Sequence, residues 1–569
     1  VAAPQSFSVA NDGLGVMNFT VGASVLSGGA WVAVTPDSGS ADAAGAVASV
    51  EVQVDASGLA AGLYYGQLRL DAPGADNSPQ FVSVCLNVLP AGSNPGPAVL
   101  PSSLTFTGVA GGPNPGSQTV MIYNRSPTPI SFTSSRAFFQ GQNWFVHVPS
   151  GGTATKDQPA RLIVQPSISG LTAGVLTGAL NIQFSDGSLR TIGILLVLSS
   201  GPVSGFESAT GFESAKGRRA AGIGCAASRL LAAFTSLSQG FSAPAGWPVS
   251  VQILVTDDCG SSLGSGSVVA SFSNGDPVLP LTSLKDGRWA GTWQSRSAQP
   301  AVTVSINASS PDKSLKGTTA VTGGLSSVAR PPLVGANGIV NSASLDGRLP
   351  PAPGSMISIL GSGLSIGSEQ AGSVPLPTQL AGTTVLLAGR SLPLIAASDG
   401  RIDAIVPFDV QVNALHQLIV QRGNTLTVPS TSSIAPVQPA IFTNDNSGTG
   451  QGKIYLSAAD GSSTLAGPAA PAHAGDTVTI QATGLGAVNA DVTAGSAAPS
   501  APPATTVNPV TVSIGGVETP AVFAGLLPGG AGLYQVQAVV PADVPAGDAV
   551  PVVVLVAGQS SPAVTMAIQ

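Results

Sequence analysis

Charge is scarce in this 569-residue chain. Lys and Arg number 21 and Asp and Glu 28, so charged residues make up 9 % and the formal net charge is −7. No basic stripe exists that could neutralise a row of phosphates, which excludes nucleic acid as a partner. There are only three histidines, His147, His416 and His473, well separated along the chain. No HExxH, P-loop or dinucleotide fingerprint occurs. The Gly-rich "GSGLSIG" (361–367) follows a strand pattern and precedes no helix, so it reads as a turn. No serine or cysteine sits in a nucleophile elbow, and the few carboxylates lie mostly in turn contexts. We therefore expect no enzyme, no cofactor and no metal centre. Long apolar runs are also missing. The longest, "IGILLVL" (192–198), has strand length and falls short of the ~18–20 residues of a membrane helix.

Cysteine is rare too. Cys85 lies on an alternating strand, "FVSVCLNVL", and is expected to be a buried free thiol. Cys225 and Cys259 bracket two strands and their connection. They are expected to form a disulfide, which implies an oxidising compartment. Two unrelated buried thiols are the alternative. Without CxxC spacing or a nearby His, zinc is not indicated.

What the chain does have is Gly (71), Pro (46) and 43 % hydrophobic residues. The apolar residues come as short Val/Ile/Leu/Thr runs cut by Gly, Pro, Asn and Ser, which is the pattern of many strands joined by turns. The length suits four or five domains. The expected fold is all-β, with tandem Ig-like β-sandwich domains arranged as an elongated rod.

Self-similarity is the clearest signal. Residues 1–91 repeat in 98–200. "AWVAVTP" (30–36) matches "NWFVHVP" (143–149), "QFVSVCLNVL" matches "RTIGILLVLS", and "SGLAAG" (57–62) matches "SGLTAG" (169–174). Gly58, Gly62, Gly170 and Gly174 supply turn conformations before an outgoing strand. A second pair lies at the C-terminus. "PGSMISILGSGLS" (353–365) matches "AGDTVTIQATGLG" (474–486), and "RIDAIVPFDV" matches "YQVQAVVPADV". The expected units are 1–91, 98–200, a linker 201–219, 220–325, 335–445 and 446–569. Within the linker, the tandem "GFESATGFESAKGRR" (205–219) reads as a flexible connection, with a docking or proteolytic segment as the sharper alternative. Asp257, Asp258 and Asp276 in the middle unit read as turn residues rather than a calcium site. Trp289 and Trp293 share a strand face and read as core. Trp31 and Trp144, one in each N-terminal repeat, are the candidate ligand-stacking residues.

On the Trp strand and the "SGL-x-AG" turn, the first two units resemble BACON domains. That resemblance implies an Ig-like sandwich, and the family name suggests carbohydrate. Residues 335–569 resemble the uncharacterised C-terminal region of secreted acidobacterial proteins, with an IPT/TIG-like sandwich occurring twice. The residues that carry this are "GIVNSAS" (338–344), "PLPTQLAGTTV", "PAIFT" (439–443) and "GLYQVQAVVPADVPAGDAVPVVV". This resemblance implies export and a β-rich fold, and it brings no catalytic residues.

The opening "VAAPQSFSVAN" is the counterpart of "SQTVMIYN" (117–124), yet there a complete strand, "SSLTFTGVAGG" (102–112), comes first. The first unit thus reads as a sandwich lacking its first strand. Gln5, Ser6, Phe7, Ser8 and Val9 become the candidate assembly edge, because open edges pair with other chains. Val1 reads as the start of a processed, exported chain, with a fragment boundary as the alternative. The expected function is a secreted, non-enzymatic structural or adhesive protein, extracellular or at the cell surface. Its expected partners are head-to-tail copies of itself or a cell-surface polymer. The alternative is a carbohydrate-binding protein that takes polysaccharide through its first two domains.

Overall fold

The computed structural model describes residues 4–43, 47–141, 143–200, 225–327, 331–457 and 463–569. The linker motif at 205–219 lies outside them. Among the described residues there is no helix, and the strands form almost entirely antiparallel sheets. The protein is all-β, built from tandem Ig-like sandwiches. The sequence cause is the alternation of apolar residues with Ser, Thr and Gln along each strand, which buries one face and wets the other.

Among the described residues sixteen strands lie in the N-terminal repeats. In the first repeat they are β1 (Gln5–Val9), β2 (Val16–Val25), β3 (Val32–Thr35), β4 (Ser38–Asp42), β5 (Ala48–Val54), β6 (Gly62–Asp71) and β7 (Gln80–Val88). The second repeat holds β8 (Ala98–Leu100), β9 (Ser103–Val109), β10 (Gln118–Tyr123), β11 (Ile130–Phe138) and β12 (Phe145–Val148). It continues with β13 (Gly151–Ala154), β14 (Ala160–Pro166), β15 (Gly174–Phe184) and β16 (Leu189–Ser199). The first repeat has sheets ordered β1-β5-β3 and β4-β2-β6-β7. The second has β12-β14-β10-β8 and β13-β11-β15-β16-β9.

Two compact units are present. One comprises Val1–Asn18, Gly28–Tyr64 and Cys85–Arg330, and the other Phe19–Ser27, Tyr65–Val84 and Pro331–Gln569. In the first unit, the second repeat closes on a core that includes Phe106, Trp144, Phe145 and Leu196. Residues 230–325 close on Trp289, Trp293, Val251 and Ile306. Both Trp289 and Trp293 are core, as their shared strand face implies. Their indole N–H groups find partners, half-buried Leu263 O at 2.9 Å and buried Asp276 Oδ2 at 2.9 Å. In the second unit, one core gathers residues such as Ile359, Leu394 and Leu418, and another Val478, Tyr534 and Val554.

The repeat inferred from sequence extends to strand register. Gln5 pairs with Val52 and Val9 with Ala48, just as Gln118 pairs with Val164 and Ile122 with Ala160. A buried asparagine follows each of these strands. Asn11 donates to Gly15 O and Ala41 O and accepts from the Gly13 amide. Asn124 donates to Thr128 O and Ala154 O and accepts from the Ser126 amide. Gly58 and Gly170 adopt φ of +79° and +77°, the left-handed conformation that the SGL turn requires.

Candidate functional site

The first candidate is the strand edge. In the second repeat one stretch of chain serves both sheets. Its first part, β8, pairs antiparallel with β10, setting Leu100 against Met121 and Ala98 against Tyr123. After Pro101 it continues as β9, which pairs parallel with β16 from Gly193–Ser103 to Ser199–Val109. Leu104 and Phe106 on β9 are both 2 % exposed. Among the described residues neither pairing has a counterpart in the first repeat. There β1 ends one sheet and β7 ends the other.

The side chains follow suit. Ile192, Ile194, Leu196 and Leu198 on β16 are at most 2 % exposed. Their counterparts on β7, Val82, Val84, Leu86 and Val88, are only half-buried. Phe7 on β1 is half-buried, whereas its counterpart Val120 is fully buried. The proposed edge residues Gln5, Ser6, Phe7, Ser8 and Val9 thus form a strand paired on one side, with β5. Sequence reading found β1 but not β7. The signal was in the sequence, because the β7 pattern is as apolar as that of β16. At the start of β7 the Phe81 amide donates to Gln417 Oε1 at 2.5 Å, and Ser83 Oγ donates to Thr427 O at 3.0 Å.

The stacking residues fare differently. Trp31 is 2 % and Trp144 1 % exposed, so neither offers a face to a ligand. This corrects the sequence expectation. Trp144 packs edge-on against Phe138 and Phe145, its centroid 6.0 and 4.9 Å from theirs, and donates its N–H to Gln140 O. Alternation along β3 and β12 would set each Trp with exposed neighbours, Ala33 and Thr35 or Val146 and Val148, but each Trp precedes its strand and is buried. The Trp enters the inner face beside the following strand, where a large ring fills the space between the sheets.

Cys225 and Cys259 are joined by a disulfide, with Cα atoms 5.7 Å apart. Cys85 is a half-buried free thiol whose desolvation pushes its pKa up to about 12. Asp257 accepts the Cys259 and Ser261 amides, Asp258 accepts Ser228, and Asp276 accepts Trp293. Each carboxylate is engaged in its own turn or core contact.

The histidines lie apart. His147 Nε2 meets Ser134 Oγ at 2.8 Å, but its Nδ1 is buried without a hydrogen-bond partner. Desolvation, followed by Arg136, lowers its pKa, so the ring is neutral near pH 7. A serine–histidine pair relays protons efficiently only when a third group orients the ring. Among the described residues none bonds Nδ1. His416 is 2 % exposed and bonds Gln411 O. His473 sits beside Asp476 at the surface.

One further feature has no counterpart among the sequence motifs. A cleft of about 510 Å³ lies in the second unit, lined by Arg390, Pro393, Phe408, Asp409 and the loop from Ala487 to Ala494. A smaller one of about 210 Å³ is lined mainly by the Gly335–Gly338 bulge and Ser430–Ser433. The larger cleft was invisible because its two walls lie some eighty residues apart in sequence.

No family profile and no curated protein matches the sequence. Among solved structures, the periplasmic chaperone SfaE is similar to 41 % of this chain over 100 % of its own length, at 9 % identity and a TM-score of 0.19. An endo-fucoidan hydrolase of glycoside hydrolase family 107 matches 57 % of this chain and 42 % of its own, at 14 % identity and a TM-score of 0.15. WR4, a C. elegans MSP family member, matches 18 % of this chain and 96 % of its own, at 13 % identity and a TM-score of 0.14. At these TM-scores the likenesses carry no functional argument.

Proposed function

We propose that this is a secreted, non-enzymatic structural or adhesive protein of the cell surface. In this reading the first repeat takes up a strand from a second copy, and successive copies join head to tail into a filament. The observation that carries the reading is the comparison of the two repeats. They share register and buried asparagine, and among the described residues β1 and β7 stand at sheet edges where β10 and β16 of the second repeat carry a further pairing. An unpaired edge beside under-covered apolar side chains is a template for β-strand addition. The second repeat supplies the chemistry of the donor. It is an extended, uncharged segment with a proline between its two halves and apolar side chains two apart, as in Leu104 and Phe106. Head-to-tail joining of this kind is heterologous, so it gives open filaments rather than closed rings.

Export is supported by the disulfide, which persists in oxidising compartments. No helix among the described residues is long and apolar enough to cross a membrane. The elongated arrangement of domains belongs to the same proposal. Negative-stain electron microscopy of the native protein tests it. Filaments with a regular axial repeat are expected. Separate single molecules at all concentrations would sink the polymer.

A further inference from the structure

The larger cleft of the second unit is a built site rather than an accidental crevice. Its two walls are fixed independently. On one side, the Pro393 carbonyl accepts the Ile405 amide at 3.0 Å, and Phe408 packs onto the core around Tyr534. On the other, the 487–495 loop is tied at both ends. Val507 N donates to Ala487 O at 3.0 Å, Asn489 N to Thr505 O at 2.9 Å, and Thr505 N back to Asn489 Oδ1 at 3.0 Å. At its far end Leu376 N donates to Gly495 O at 2.8 Å. Gly495 has φ +82°, and a Cβ there would fall 2.5 Å from Pro393 Cβ, so only glycine lets the loop close onto that wall. The cleft is therefore held open by backbone bonds on both sides, at a volume typical of small-ligand sites.

Its chemistry is divided. The floor is apolar and half-buried, from Phe408, Val488 and Val492. The rim is polar. Arg390 is ion-paired with Asp409, and Asp491 is exposed, with no ion pair among the described residues. An anionic ligand would meet two carboxylates against one guanidinium. A purely apolar ligand would use the floor alone and leave the polar rim unengaged. A pyranose ring satisfies both parts. Its C–H face packs on the aromatic and aliphatic floor, and its hydroxyls donate to Asp491 and Asp409 and accept from Arg390.

We propose that this cleft binds neutral saccharide, one or two pyranose rings of a polysaccharide, independently of any filament. The site is distinct from the first two domains, whose tryptophans are buried.

Isothermal titration of the full chain with cellohexaose, maltohexaose, xylohexaose and chitohexaose tests it. At least one should bind saturably, with a dissociation constant on the order of 1 mM. Asp491→Asn should weaken that binding by about tenfold, the size of one charge-assisted hydrogen bond. Ala490→Phe, which fills the cleft, should abolish it while thermal unfolding stays unchanged. Failure of all four sugars overturns the proposal. So does binding that both variants leave intact, which would place the site elsewhere. Binding of tetralysine in place of any sugar would make the cleft a cation site and equally overturn it. None of these outcomes touches the filament reading, which rests on the first repeat.

Discussion

Asn11 and Asn124 carry the same three hydrogen bonds in the two repeats, and both side chains are buried. Removing such a group strands backbone carbonyls away from water. Asn124→Ala should therefore destabilise the second repeat by about 1–3 kcal/mol in urea unfolding. Asn124→Asp should restore little, since a carboxylate cannot donate to Thr128 O or Ala154 O. From sequence, these residues look like any turn asparagine. Only the register shows that they occupy one position in the fold.

Cys85 gives a second residue-scale expectation. With its pKa near 12, little thiolate exists at pH 8, so iodoacetamide should label it far more slowly in the native protein than in urea. Asp312 and Asp346 are both held down at about 2, the first by the Ser310 and Ser314 hydroxyls, the second by Arg348. A depressed carboxylate contributes its stability above the unfolded value of 3.8 and loses it as pH falls through the folded one. The unfolding midpoint should then rise between pH 2 and pH 4 and level off. Asp312 is exposed and Asp346 half-buried beside a solvent-exposed Arg348, so screening keeps the rise small.

At the scale of the element, strand glycines mark close packing between sheets. A Cβ at Gly178 on β15 would lie 2.7 Å from Ala137 O and 3.1 Å from both the Trp144 and Phe145 rings. Gly178→Val should cost about 2–4 kcal/mol through overpacking. Its effect should appear as a lowered midpoint of the transition reported by Trp144 fluorescence.

The strands themselves were readable because alternation and turn glycines are local signals. The edge position of β1 was readable because the second repeat supplied a template. The burial of Trp31 and Trp144 was not, since each precedes its strand and is buried although alternation along that strand would set it with the exposed residues. The unclosed edges predict a binding result as well. A synthetic peptide of residues 97–110 should bind the full chain and compete with assembly. The same peptide with Leu104→Asp and Phe106→Asp should not. Equal binding of both peptides would show that the apolar pair does not determine the fit.

At the scale of the whole molecule, several separate cores predict several unfolding transitions rather than one. The Cys225–Cys259 bond closes a stretch of 34 residues in the 225–327 segment. The double variant Cys225→Ser, Cys259→Ser should lower one calorimetric transition, by about 2–4 kcal/mol, and leave the others in place. A uniform shift of every transition would mean that the cores are coupled.

The central claim is that β1 and β7 are edges onto which a second copy adds a strand. Hydrogen exchange followed by mass spectrometry, on the assembled and the dissociated protein, tests this most directly. Assembly should protect the amides of Ser6–Ala10 and Ser83–Val88, and leave β10 and β16, already paired, unchanged. Protection confined to other surfaces, with β1 and β7 exchanging as fast in both states, would contradict it.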